Sequence, residues 1–223
     1  MPKLATMITF TDSRPSQSAP TAAGPATWGR VYATKPEHGS PVTAQTRAAL
    51  MQALQEREPE LGDHVRQVAD LAVAVGRQLG MDAQQLDELH LAAELHDVGK
   101  IATPDAVLQK PGPLDDDEWR LMRQHTIIGE RILNSVPALS PVARIVRSSH
   151  EHWDGGGYPD ALRGAEIPLG SRIVLVCDAF SAMTTTRPYR AAMSVEDAVR
   201  ELVRCSGKQF DATVVDAVRH QLN

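Results

Sequence analysis

The sequence has little cysteine, no long apolar run and no excess of positive charge, and each shortage removes a class of protein. Only two of its 223 residues are cysteine, Cys177 and Cys205, and neither sits in a Cys-x-x-Cys pair. A disulfide framework and a thiolate zinc site are therefore excluded, and a reducing compartment fits. No uninterrupted apolar stretch approaches the ~20 residues of a spanning helix. Leu4 to Phe10 is too short and too rich in threonine for the apolar part of a signal peptide. The expectation is a cytoplasmic chain, neither secreted nor embedded in a membrane. Against 28 Asp and Glu stand 23 Lys and Arg, a net charge of -5. That balance makes no general field for a polyanion, so polymeric nucleic acid is not an expected partner, and any phosphate must be held by cations placed singly. Strand-like alternation and internal repeats are missing as well.

What is present is the composition of an ordinary soluble globular protein, 42% hydrophobic and 23% charged. The length suits one well-buried core. Residues 1–41 hold six of the fifteen prolines among Ser, Thr, Ala and Gly, which predicts a poorly regular N-terminal extension. From Ala44 onward apolar residues recur at helical spacing, as in Val68, Leu71, Ala72, Val75 and Leu79 and again in Leu86, Leu89, Ala93 and His96. Helix starts are signalled by Asp82 before Gln85, Asp115 before Glu118, Ser140 with Pro141, and Ser194 with Asp197. Trp153 to Gly170, with four glycines and two prolines before its last residue, reads as a long loop of the kind that carries function. The fold class predicted is all-α, one helical bundle over 42–223.

Chemistry-bearing side chains fall on the inward stripes of these helices. His96 and Asp97 end a helix that Gly99 is expected to stop, so an imidazole and a carboxylate project at its negative pole, where a cation is welcome. His64 lies on the apolar stripe before them, and His125 opens a later apolar-faced helix. His150 follows Val146 by four, and Asp178 follows Val174 by four. A lone inward histidine is more often a hydrogen-bonded core residue than a ligand, but several beside a buried aspartate are not. Burying an ionised carboxylate among aliphatics costs several kcal/mol unless a cation or strong hydrogen bonds compensate. Nitrogen and oxygen donors without sulfur favour iron or manganese over structural zinc. His38, His90, His152 and His220 lack such context and are assigned to the surface or, for His90, to the core edge.

In order and spacing, Pro59 to Val218 resembles the HD-GYP phosphodiesterases, a branch of the HD-domain metallohydrolases. The resemblance rests on Glu60-Leu-Gly-Asp-His64, His96-Asp97-Val-Gly-Lys100, Gln124-His125, Ser149-His150-Glu151, Asp154-Gly-Gly-Gly-Tyr158-Pro159, Asp178, Arg187-Pro188-Tyr189-Arg190 and Gly207-Lys208-Gln209-Phe210-Asp211. It implies a helical bundle with two or three divalent metals and Asp97 bridging two of them. It further implies Lys100 neutralising charge on phosphorus, and Tyr158, Arg187 and Arg190 holding the phosphates of cyclic di-GMP. For the arginines the alternative is a solvated surface pair. Glu60 is either a holder of a third metal or a first-turn helix residue favoured by the dipole.

Two departures bear on activity. Where the family has a His-His pair this chain has Ser149-His150, and a hydroxyl is a poor ligand for a divalent ion. Where it tends to carry a second acid after the metal-binding aspartate, this chain has Ser181. The readings left open are three. One is an active phosphodiesterase giving linear pGpG and GMP. Another is a weak or inactive module binding the nucleotide or a signalling partner such as a diguanylate cyclase. The last is a phosphohydrolase of a hybrid cyclic dinucleotide or a mononucleotide, the mononucleotide being disfavoured by the Gly-Tyr-Pro loop.

Overall fold

The computed structural model describes residues 41–58, 61–186 and 191–222. Apart from Pro41, which opens the first helix, the expected N-terminal extension lies outside the described residues. The order is α1 (Pro41–Arg57), α2 (Leu61–Gln78), α3 (Ala83–Leu95), a 3-10 turn (Val98–Ala102), α4 (Asp105–Leu108), α5 (Asp116–Arg123), α6 (His125–Asn134), α7 (Ser140–Arg147), α8 (Leu169–Thr184), α9 (Val195–Arg204) and α10 (Ala212–Leu222). Among the described residues there is no strand, and no helix is long and apolar enough to cross a membrane.

The helix starts follow the sequence signals with one exception. Asp82 and Asp115 close capping boxes with Gln85 and Glu118, and the Ser194 hydroxyl accepts the Asp197 amide. Ser140 does not cap. The 3-10 turn Pro137–Leu139 runs straight into α7, so Ser140 is already helical and its side chain makes no cap bond.

α8 is the axis of the core. Nearly all of it from Gly170 to Met183 is buried, Arg172 excepted, as expected of a helix whose apolar character runs all round. Against it pack the α2 stripe Val68, Leu71, Ala72 and Val75, then Leu89 and Ala93 of α3, Val146 of α7 and Val214, Val215 and Val218 of α10. Phe180 is fully enclosed, a burial that contributes about 1.5–3 kcal/mol.

The segment between α7 and α8 is the predicted long loop, and it is tied down. Trp153 and Asp154 donate backbone N–H to the carbonyls of Gln209 and Lys208. The buried Glu151 carboxylate accepts from the amides of Asp160 (2.6 Å) and Leu162 (3.1 Å). Arg147 forks onto Asp160, and Arg172 bonds Asp211 at 2.7 Å with its guanidinium 5.6 Å from the Trp153 ring. At Gly157 a β-carbon would lie 2.2 Å from the His152 nitrogen, so no larger residue fits where the loop folds onto itself.

Candidate metal centre

His64 from α2, His96 and Asp97 from the end of α3, His125 from the start of α6, His150 from the loop and Asp178 from α8 converge and are buried. The rings are oriented from behind. His96 Nδ1 stands 2.8 Å from the Ala93 carbonyl and His125 Nδ1 2.8 Å from the Met122 carbonyl of α5, so each donates to the backbone three residues before it and leaves Nε2 as the free lone pair. His64 Nδ1 lies 2.8 Å from the Ser181 hydroxyl, and its Nε2 is 3.0 Å from Asp178 Oδ1.

Asp97 turns its two oxygens to different histidines. Oδ2 is 3.6 Å from His96 Nε2 and 2.5 Å from Lys100 Nζ, while Oδ1 is 3.5 Å from His125 Nε2. Asp178 Oδ1 lies 3.9 Å from His96 Nε2. Asp97, His125 and His150 offer ligand atoms all within 4.8 Å of one another.

The test of fit to a cation is the state of the inward atoms. The Nε2 atoms of His96, His125 and His150 and Oδ1 of Asp97 are buried without a hydrogen-bond partner. Three orphaned imidazole nitrogens around a carboxylate with an orphaned oxygen of its own would be costly in an ordinary core, and a divalent ion with nitrogen and oxygen ligands satisfies them together. Protonation favours binding too. Burial pushes the Asp97 carboxyl up, but Lys100, His96, His125 and His150 outweigh it and hold it well below the carboxylate range. Burial also opposes the charge on Asp178, and His64 and His96 restore it, leaving its pKa depressed. Burial lowers His125 to about 4 and drives His150 well below its ordinary value. Near neutral pH the carboxylates are ionised and these two imidazoles neutral, the forms that ligate metal.

The remaining predicted residues are placed as follows. Lys100 is almost fully enclosed, on Asp97. The Tyr158 ring stacks on His150, centroids 5.2 Å apart, and its hydroxyl is buried without a partner. Burial, then Asp97, pushes its pKa well above the usual phenol range, so it stays a donor. Ser149 is fully buried with its hydroxyl donating to the Val146 carbonyl at 2.9 Å. Glu60, Arg187 and Arg190 lie outside the described residues. His90 stands at the core edge, 3.4 Å from Glu94, and His220 is exposed; His38 is outside the described residues and His152 is half-buried.

Two expectations change in their physical basis. Gly99 is not a left-handed helix stop; a β-carbon there would lie 1.9 Å from the His125 carbonyl oxygen, so glycine is required for α6 to approach. His150 points inward, but α7 has ended at Arg147, and a backbone bridge to Tyr158, not helical spacing, holds it. Two neighbours of the site escaped sequence reasoning. Glu58 has a buried Oε1 without a hydrogen-bond partner and lends negative charge to Lys100. The Arg123 guanidinium lies 5.3 Å from the Tyr158 ring. Only the adjacency of Arg123 to Gln124-His125 hinted at its place.

A family model described as HD domain matches residues 48–214. The chain is 42% identical over 163 residues to a cyclic di-GMP phosphodiesterase of Thermotoga maritima, a match covering 72% of this chain and 44% of that protein. It is 38% identical over 176 residues to the cyclic di-GMP phosphodiesterase response regulator RpfG of Xanthomonas campestris pv. campestris, covering 78% and 47%. The chain thus spans a little under half the length of these curated relatives. Its fold is similar to the crystal structure of a cyclic GMP-AMP specific phosphodiesterase of Vibrio cholerae, with a TM-score of 0.64 at 22% identity over 79% of this chain and 48% of that one.

Proposed function

The chain belongs to the HD-domain family, and from that premise we propose that it is a metal-dependent phosphodiesterase that opens cyclic di-GMP. The product is linear pGpG, formed as water adds to one phosphorus and a P–O3′ bond breaks; further cleavage to GMP follows from the same chemistry. The observation that carries this reading is the set of partnerless Nε2 atoms of His96, His125 and His150 around the Asp97 carboxylate, whose Oδ1 is partnerless too. His64, His96, Asp97 and Asp178 would hold one ion and Asp97, His125 and His150 a second, with Glu60 a candidate for a third. The donor set suits iron or manganese. Bound there, paired divalent ions supply Lewis-acid charge and a water acidic enough to react near neutral pH.

The side chains do the rest. Asp97 stays ionised and divides its oxygens between the two ligand groups. Lys100 holds one of those oxygens with one of three ammonium donors, leaving the others for charge that develops on phosphorus. Tyr158, kept protonated in its enclosure, donates to a phosphoryl oxygen. Arg187 and Arg190 would fork onto phosphate from the segment that follows α8. A reducing cytoplasm suits Cys177 and Cys205, which are both free and buried.

Ser149 favours a second reading. Its hydroxyl is spent on Val146, so it offers nothing to an ion, and a domain short of one ligand would serve as a weak enzyme or as a module binding the nucleotide or a signalling protein. Metal content and cyclic di-GMP turnover, measured together on the wild-type chain and on Asp97→Asn, separate the two. Turnover in the wild type, lost with the metal in Asp97→Asn, is the expected result. A metal-loaded wild type that binds but does not cleave cyclic di-GMP overturns the enzyme reading, and full metal content in Asp97→Asn overturns the bridging role.

A further inference from the structure

Arg123 ends α5, is exposed, and immediately precedes the Gln124-His125 pair, so one short junction sends His125 inward and leaves this guanidinium at the surface beside Tyr158. Its carbon lies 5.3 Å from the centroid of Tyr158 and 5.9 Å from that of Trp119. Tyr158 stacks on His150, which offers a ligand atom within 4.8 Å of those of Asp97 and His125. A fixed positive charge therefore stands two ring contacts from the ligand cluster. Elsewhere Arg47, Arg57, Arg147 and Arg172 each rest on a carboxylate. The Arg123 guanidinium has no ion pair or hydrogen bond with a protein group among the described residues; its contacts are aromatic, and its field reaches His152 and Tyr158.

We propose that Arg123 binds the phosphate of the cyclic dinucleotide that is not being cleaved. The proposal rests on the phosphodiesterase reading of the site. A cyclic dinucleotide carries two phosphates on one macrocycle, so when one sits at the His/Asp cluster the other must find its counter-charge nearby, from side chains alone. In a chain of net charge -5 that charge has to be local. An unpaired guanidinium prefers an anionic acceptor to the neutral edge of a base, since charge-assisted forked bonds are the stronger kind. Because the guanidinium already lies over two rings, little of its freedom is lost when phosphate arrives.

The test compares Arg123→Met, which keeps the aliphatic stem, and Arg123→Lys with wild type, all loaded with manganese. The substrates are cyclic di-GMP, cyclic di-AMP and bis(p-nitrophenyl) phosphate, which has one phosphate and no second anion. Arg123→Met is expected to raise KM about 10- to 100-fold, the worth of a charged hydrogen bond. The rise should be equal for both cyclic dinucleotides, at least about tenfold larger than for the one-phosphate substrate, and reversed in part by lysine. Unchanged KM, an equal loss on all three substrates, or a loss confined to cyclic di-GMP, which would mean base recognition, each overturns the proposal. A wild type that cleaves none of the three overturns the phosphodiesterase reading; calorimetric affinities of wild type and Arg123→Met for cyclic di-GMP then decide the role of Arg123, equal affinities overturning it.

Discussion

Ser181 of α8 holds His64 of α2 by the back of its ring: its hydroxyl gives its proton to Gln67 Oε1 at 3.3 Å and accepts from His64 Nδ1 at 2.8 Å. That fixes the tautomer and aims Nε2 at Asp178. Where the resembled family tends to have an acid, a neutral hydroxyl does the orienting. Ser181→Ala should weaken metal affinity by about 10- to 100-fold, the usual effect of losing such a support. A chelator-competition titration measures it, and unaltered affinity would mean that His64 needs no help from α8.

Ser149→His restores an imidazole where this chain has a hydroxyl bound to its own backbone. We expect more metal retained through dialysis against chelator and faster opening of cyclic di-GMP. Ser149→Ala should do neither and cost only about 0.5–1.5 kcal/mol of stability, the net worth of one hydrogen bond. If the histidine variant gains neither metal nor rate, this position is not a vacated ligand site.

Removing metal exposes a pH dependence whose sign follows from His125. Its folded pKa of about 4 lies below the ordinary 6.5, so between those values the unfolded chain takes up a proton that the folded chain refuses. Stability therefore falls as pH drops from about 6.5 to 4, by roughly 3 kcal/mol from this residue. Below that window Asp97 and Asp178, whose folded pKa values are depressed, add a further loss as they protonate. Thermal midpoints of the chelator-treated chain across this range should show the slope, and His125→Asn should reduce it, leaving the part due to His150, which burial also drives below its ordinary value; equal slopes would assign the effect elsewhere.

Gly99→Ala puts a β-carbon into the His125 carbonyl and within 2.6 Å of the Gly129 nitrogen. Backbone cannot turn aside as a side chain does, so α6 must shift and take His125 with it. The expected cost is about 1–3 kcal/mol or more, with metal lost in parallel. Denaturant unfolding and metal analysis of the same preparation check this; a variant as stable and as metal-rich as wild type would refute the packing argument.

Much of this was legible because it is periodic or local. The stripe Val68, Leu71, Ala72 and Val75 predicts a buried face, and caps such as Asp82 and Asp115 act within one turn. His64, His96 and Asp178 could be aimed inward because each sits on or at the end of a helix with an apolar stripe. His150 was aimed correctly by a helical count that does not apply, since the chain has already left α7. Gly99 reads as punctuation in the sequence because an approach between the 3-10 turn and α6 leaves no mark in local spacing. Arg123 is silent in the sequence for a similar reason: the rings that define its surroundings are brought together by α5 meeting a loop, and nothing in its own helix distinguishes it from Arg120.

The backbone bonds from Trp153 and Asp154 to Gln209 and Lys208 also impose an order in time. At a synthesis rate of about 5–20 residues per second, the loop bearing Tyr158 leaves the ribosome roughly three to ten seconds before the segment it pairs with. In that interval His64, His96 and His125 have already been made, while Asp178 emerges only partway through it. The earlier helices can gather during translation, but the wall that carries Tyr158 waits for a distant partner, so ion capture by the nascent chain would start from an open, water-filled cleft.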